Sequence, residues 1–504
     1  MKNYQKFSRF LVCLLLTISL VNGVKNPRVV VIGAGAAGLA TASRLYQGGL
    51  TNVTILEASQ RVGGRIYTTP FGAGIVELGA QWCHGEKGNV VYELVSAHPA
   101  ELLLQSSIIA DDAALVQSNG ERVGNELVEK LSTLAEQITE SEERSLYAGS
   151  LGHFFTESYW QRLQTDATFT DVSHELAEQF LVYYHNHERG NSAYDSWFDV
   201  AANETDSYQE TEGNQVLAWN SVKGYSTILD IVSGNYPLTT NNTNPTKVPL
   251  DELILLGKFV SNIQWDRADN GYVLITTDDG TQYEADHVVV TVSLGVLKEN
   301  YRTMFTPALP TVNQRAIDGL NFGTVNKLFI LYDAPIPKGF ANSASLLWRK
   351  PDLDELRRSK HAWAEAVIVL FHVDHQPNVL GVWLNGREGR QAELLPDEVI
   401  REGLAYLLGI FFKNLHFGNV RDIIRSKWST DRLFRGSYSS RSIVTEKLGT
   451  GAQYLASCLT SNDGSPVVMF AGEATSRFHF STVHGAIESG FREADRLLAL
   501  YASE

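Results

Sequence analysis

The 504-residue chain carries 57 acidic against 42 basic side chains, a net charge of −15, and 44% hydrophobic residues. That is enough apolar material for a large core without cross-links, and the acidic balance disfavours nucleic acid while attracting cations. Its cysteines, Cys13, Cys83 and Cys458, give no disulfide framework and no Cys/His spacing that suits a metal.

Lys2, Lys6 and Arg9 precede an apolar run from Phe10 to Val21, and Val21-Asn22-Gly23 offers small or compact residues for cleavage. This predicts a secretory leader over residues 1–23, too short to span a bilayer comfortably. Its loss removes three cations and no acids, leaving a net charge of −18. No later segment is apolar and long enough to span, and Leu-Tyr-Ala-Ser-Glu at the end is no retention or peroxisomal address. The expected product is extracellular, with acceptor sequons at Asn52, Asn203 and Asn241, the last two in polar, loop-like stretches.

The next stretch, Arg28 to Arg65, is a dinucleotide-binding pattern. An apolar run suited to a buried parallel strand leads into Gly33-Ala-Gly35-Ala-Ala-Gly38 and then a helical run to Gly48. Gly33 allows the tight turn, Gly35 lets backbone approach a pyrophosphate, and Gly38 brings helix and strand together. The helix N-terminus presents free N–H groups and positive dipole. Glu57 follows Gly38 by 19 residues, at the end of a second strand, where a carboxylate accepts from ribose hydroxyls. Gly63 and Gly64, flanked by Arg61 and Arg65, bring cationic donors back beside the pyrophosphate, an addition that NAD sites do not require.

Val76 to Gly85 reads as a short strand breaking into a loop that holds Trp82, Cys83 and His84. Between residues 106 and 221 the pattern turns helical. Its stripes are Leu127-Leu131-Leu134-Ile138, Leu151-Phe154-Phe155-Tyr159, and Val172-Leu176-Phe180-Tyr183 stopped by Gly190. Val260 sits in a strand-like run, and His287 to Val292 is a continuous β-branched strand. Lys327–Tyr332, Ala366–Val373, Val379–Leu384 and Ile423–Trp428 predict a second sheet under the helical cap. Val467 to Phe470 returns to the first domain, and Ser481-Thr482 caps a last helix with inner face Ile487, Gly490, Ala494, Leu497 and Tyr501. The expected class is α/β. A Rossmann-type domain (26–105, 222–300, 430–504) is interleaved with a substrate domain (106–221, 301–429) of mixed sheet plus helical cap.

Glu57-Ala-Ser-Gln-Arg-Val-Gly-Gly-Arg65 resembles the FAD fingerprint of the flavin amine oxidase superfamily. With Glu77–Gly85, Val290–Lys298, Gly323–Lys327, Arg435–Tyr438, Phe470–Thr475 and Ser481–Ala486, the chain resembles the polyamine oxidases, and within them the spermine oxidase and acetylpolyamine oxidase group. The resemblance implies that Glu57 binds the adenosine ribose, Arg65 the pyrophosphate, Val260 the adenine side, and Glu473 the phosphate and ribitol region. Trp82, Thr482 and Val483 are likewise assigned to the flavin's surroundings. Lys327 corresponds to the lysine that holds a water against the flavin. By residue pattern alone it is either a desolvated lysine on an apolar strand face with Phe329 and Leu331, or a strand-end lysine reaching water. His84 matches the active-site histidine, although in isolation a histidine in a tight loop reads first as a satisfied core residue.

Tyr438 and Thr482 fall where related enzymes build two walls of a substrate cage, and only the first is aromatic, with Phe480 two residues before Thr482. Ser437 stands where monoamine oxidases attach flavin through cysteine, so noncovalent FAD is implied. Glu210 resembles an acid lining the substrate path, and reads equally as a solvated loop glutamate. The implied reaction oxidises the amine C–N bond of spermine, spermidine or acetylated forms, with O2 reduced to hydrogen peroxide. The rivals are an L-amino-acid oxidase, which needs an arginine for the substrate carboxylate, a flavin-type histone demethylase, which the leader disfavours, and a catalytically silent flavoprotein scaffold. No metal and no nucleic acid is expected.

Overall fold

A computed structural model of the chain describes residues 26–98, 103–106, 113–203, 208–220, 222–237, 246–266, 271–461 and 464–502. The leader and the Asn241 sequon lie outside them. Val29–Ile32 is buried along its length because it runs parallel between Val53–Leu56 and His287–Val290. Strands covered on both faces read as unbroken β-branched runs, and these do. Pro466–Phe470 extends the sheet in parallel beside His287–Val290, and Ile254–Leu255 closes the other edge.

The strand expected over His287–Val292 stops at Val290, where Thr291 turns its hydroxyl onto the Ile32 carbonyl. Helices Ala36–Gln47 and Val483–Ala502 pack backbone to backbone. A Cβ at Gly490 would lie only 2.4 Å from the Ala37 carbonyl oxygen. The first and last motifs of the chain therefore meet at one end of this sheet.

A second sheet of six strands runs in the order Val420–Arg425, Val325–Tyr332, Gln376–Asn385, Val367–Val373, Ser343–Leu347 and Ala113–Gln117. It is antiparallel except for its last pair. The strand expected over Ile423–Trp428 lies earlier, at Val420–Arg425. Trp428 is instead drawn out of line, its indole donating to the Leu78 carbonyl at 3.1 Å.

Two of the three helical stripes form as expected, in Asn125–Thr139 and Leu151–Thr165. The third helix, His174–Ser192, differs at both ends. Val172 precedes it, and Ser173 caps it by accepting from Leu176 N–H. Gly190 does not stop it. The glycine allows close packing on the second sheet, since a Cβ there would meet Ile368 Cδ1 at 2.7 Å. The helix ends instead at Ala193, in the left-handed region with φ 53°. Phe155, Tyr159, Phe180 and Trp197 fill the cap's core.

Among the described residues no helix is long and apolar enough to cross a membrane, and no cluster of three or more metal-ligating side chains occurs.

Candidate active site

The glycine turns are built for close approach. Gly33 sits at φ +107°, and a Cβ at Gly38 would lie 1.9 Å from the Gly33 carbonyl oxygen. Gly35 and Gly63 bridge the two turns. Glu57, 8% exposed, joins them chemically. One carboxylate oxygen accepts from Ala34 N–H and the other from Ser59 N–H, both at 2.7 Å. Each oxygen keeps a lone pair for a ribose hydroxyl.

Arg61, expected beside the pyrophosphate, is committed elsewhere. It donates to the carbonyls of Val62, Gly64 and Ile66 and lies 4.0 Å from the centroid of the Tyr67 ring. Its planar fork shapes the second glycine turn. Arg65 does face the cavity, held by Glu473 and the Ser437 carbonyl, each at 2.8 Å. The second oxygen of Glu473 takes Ser439 Oγ at 2.6 Å and Ser481 N–H at 2.8 Å. This clasp spans 408 residues of sequence.

One cavity of about 1010 Å3 is lined by these turns and also by Glu188 and the exposed Glu210. Gly33, Gly35, Glu57, Arg65, Val260, Glu473, Thr482 and Val483 all line it, and so do Trp82, His84, Lys327 and Tyr438. Gly38 does not line it; its task is the close helix contact. On one side the wall is bare glycine backbone at the N-terminus of Ala36–Gln47. On another, Val483–Ala502 presents its N-terminus, with Thr482 Oγ1 accepting from Gly485 N–H. Two positive helix ends, a ribose-type carboxylate and an arginine along one cleft fit a dinucleotide.

Lys327 is 6% exposed, on the strand register opposite Trp383. Its amine donates to the Gly79 carbonyl and Gln81 Oε1, both at 2.7 Å, beneath Trp82 and Trp383, whose ring centroids are 5.2 Å apart. The reading as a strand-end lysine reaching water is thereby excluded. Burial pushes its pKa down, partly opposed by the charge of Glu77. Glu77 is itself pushed up by burial while accepting from Tyr225 N–H and Thr68 Oγ1. Gly79 links this group to the cofactor end, since a Cβ there would lie 1.8 Å from the Arg65 carbonyl oxygen.

His84 donates from Nδ1 to the Gln215 carbonyl at 2.8 Å. Burial lowers its pKa, so a neutral ring lines the cavity with Nε2 as acceptor. Tyr438 supplies a wall with its ring, while its hydroxyl donates to the Gly190 carbonyl at 2.5 Å. Thr482 lines the cavity but gives it no aromatic wall and no free hydroxyl, which is spent on the helix cap and the His479 carbonyl. Phe480, edge-on to Tyr208 at 5.4 Å, lines the cavity instead.

Sequence reasoning missed Glu188 and Trp383, both in the lining. Glu188 had a legible sign. It follows Phe180 and Tyr184 at four-residue steps, an acid on a core-facing stripe. It accepts from Asn191 Nδ2 at 3.4 Å beside His187. Trp383 had none, because only sheet register brings it to Lys327.

A family model described as flavin containing amine oxidoreductase matches residues 36–498. The chain belongs to this family. Probable polyamine oxidase 5 of Arabidopsis thaliana is 31% identical over 95% of this chain and 99% of its own length. The peroxisomal N(1)-acetyl-spermine/spermidine oxidase of Bos taurus is 30% identical over 95% of this chain and 96% of its own. A solved double mutant of putrescine oxidase shares the fold, with TM-score 0.63 at 18% identity over 94% of this chain and 99% of that one. The protein is therefore a flavin-dependent amine oxidase with FAD as its cofactor.

Proposed function

We propose that this oxidase is an exported polyamine oxidase acting on spermine, spermidine or their acetylated forms. The observation that carries the reading is the cavity's polarity. A neutral imidazole and an aromatic pair share the cavity with two carboxylates, Glu188 and the exposed Glu210. A polyamine needs both, since its reacting nitrogen must be neutral while its distant nitrogens remain cationic.

FAD bound there would supply the two-electron acceptor for oxidation at the carbon beside that nitrogen, with O2 as final oxidant and hydrogen peroxide as its product. His84 Nε2 accepts a hydrogen bond from the amine N–H and holds the nitrogen in place. Trp82, Trp383, Tyr438 and Phe480 exclude water and enclose the methylene chain. Lys327, desolvated and easily deprotonated, holds a water and exchanges a proton near neutral pH. Glu57, Arg65, the glycine backbone and the Val483 helix end would hold FAD, noncovalently. Ser437 Oγ is already occupied by the Val325 backbone and offers no thiol for attachment.

The amino-acid oxidase reading lacks its carboxylate partner. Arg65 is the one arginine among the described lining residues, and it is paired with Glu473. Export rests on the leader, and Asn52 and Asn203 are both exposed acceptors.

The test is peroxide production by purified protein across polyamines, monoamines and amino acids, with Glu188→Gln and Glu210→Gln alongside wild type. Each substitution removes a charged hydrogen bond of about 1–3 kcal/mol. That loss should raise KM for spermine while leaving benzylamine nearly unchanged. Preference for an amino acid or benzylamine, or equal effects on both substrates, would overturn the polyamine assignment.

A further inference from the structure

The segment Tyr208–Gln215 does more than line the cavity. Its Thr211 hydroxyl donates to the His84 carbonyl at 2.7 Å. Its Gln215 carbonyl accepts from His84 Nδ1 at 2.8 Å. The Gln215 side chain closes the loop on itself, donating to the Thr211 carbonyl at 2.6 Å and the Gly213 carbonyl at 3.1 Å. Backbone pairing continues alongside, with Gly85 N–H on the Asn214 carbonyl and Glu86 N–H on the Glu212 carbonyl.

The fit is tight. Gly85 sits at φ +81°, and a Cβ there would fall 1.8 Å from Thr211 Oγ1. From the other side Asn89, fully buried, also donates to the His84 carbonyl at 2.7 Å while capping helix Val90–Ser96.

We propose that Thr211 is a positioning residue for the amine oxidation, fixing His84 so that Gln215 selects the tautomer with its proton on Nδ1 and its lone pair on Nε2 in the cavity. A backbone carbonyl can only accept, so the ring nitrogen facing it must carry the hydrogen. Nε2 has no hydrogen-bond partner among the described residues, and is left to meet an amine N–H. Thr211 sets this indirectly. It holds the backbone of His84 at one end of the loop whose other end supplies the carbonyl, so ring and partner move together. Because Glu210 precedes Thr211 and also lines the cavity, one loop carries both a cavity carboxylate and the tautomer lock. The inference rests on amine oxidation in this cavity and holds whichever amine is preferred.

The experiment compares Thr211→Val and Thr211→Ser, each in wild-type and His84→Ala backgrounds, as holoenzyme on whichever amine the panel shows is oxidised fastest. Flavin absorbance per protein is measured first and should match wild type in all of them. Thr211→Val should lower kcat/KM about tenfold, the scale of one positioned hydrogen bond. Thr211→Ser, which keeps the hydroxyl, should stay within about twofold.

In the His84→Ala background Thr211→Val should cost nothing more, because it acts through the ring. Nitrogen-15 histidine spectra, with His84→Ala locating the resonance, should show a single Nδ1–H tautomer in wild type and a mixture in Thr211→Val. Equal losses in Val and Ser, an additive loss without His84, or an unchanged tautomer would each overturn the proposal. Oxidation of benzylamine in preference to spermine would sink the polyamine reading and leave this one intact.

Discussion

Replacing Lys327 by Met is the sharpest probe of the site, because it keeps an unbranched side chain as far as Cε and removes the amine. In the fold that amine serves Gly79 O and Gln81 Oε1, both at 2.7 Å. Leaving two buried acceptors unpaired costs about 1–3 kcal/mol each. Release of the amine's own desolvation offsets much of it, so the variant should fold and keep its flavin.

Turnover should fall roughly ten- to a thousandfold, the scale of a positioned acid–base group. Rapid-mixing measurements of anaerobic flavin reduction and of reoxidation by O2 separate the two halves of the reaction. Unchanged rates in both would refute the role given to the lysine.

Stability provides a second readout. Burial lowers the folded pKa of Lys327 from 10.5, so above the lowered value the unfolded chain binds the extra proton and stability rises with pH until 10.5. Glu77, pushed up by burial from 4.5, acts in the opposite sense at lower pH. Melts between neutral pH and about 10 report this rise together with that of Lys298, whose pKa burial also lowers, and against the raised Cys83 thiol, so Lys327→Met should reduce the slope without abolishing it.

Three further expectations concern the cofactor cradle and the wall. A Cβ at Gly35 meets protein no closer than 3.9 Å, so Gly35→Val should melt like the flavin-free wild type yet bind no FAD; full flavin absorbance would refute the cofactor placement. Gly38→Ala forces a Cβ to 1.9 Å from the Gly33 carbonyl oxygen, and should lower the melting temperature of the flavin-free protein itself. Tyr438→Phe loses only the bond to Gly190 and should cost less than tenfold in turnover, whereas Tyr438→Ala opens the wall and should cost far more; equal losses would place the role in the hydroxyl.

Much of this site was legible because its chemistry is written in local order. A glycine turn needs its glycines at fixed spacing, and a buried parallel strand needs an unbroken apolar run. Gly33, Gly35, Gly38 and Glu57 could be read from spacing, and Thr482 from its place before a helix. Helix ends were less legible. Gly190 read as a stop because glycine has low helix propensity, whereas its missing side chain serves packing against Ile368.

The sequence by itself determined the dinucleotide turns, the strand and helix types, and the family motifs that mark the cofactor. Tertiary structure decided which charged groups are spent and which are free. Arg61 and Arg65 look alike in sequence, yet the first is consumed by three backbone carbonyls and the second faces the cavity. Thr482 read both as a helix cap and as a wall position, and the fold shows its hydroxyl spent on Gly485 N–H and the His479 carbonyl. Lys327 could have reached water, until register set it opposite Trp383 and the Gly79 carbonyl met its amine. The physical reason is range: turns, caps and Arg61's own acceptors lie within five residues of chain, whereas the partners that hold Arg65 and bury the Lys327 amine come from segments 408 and 248 residues away.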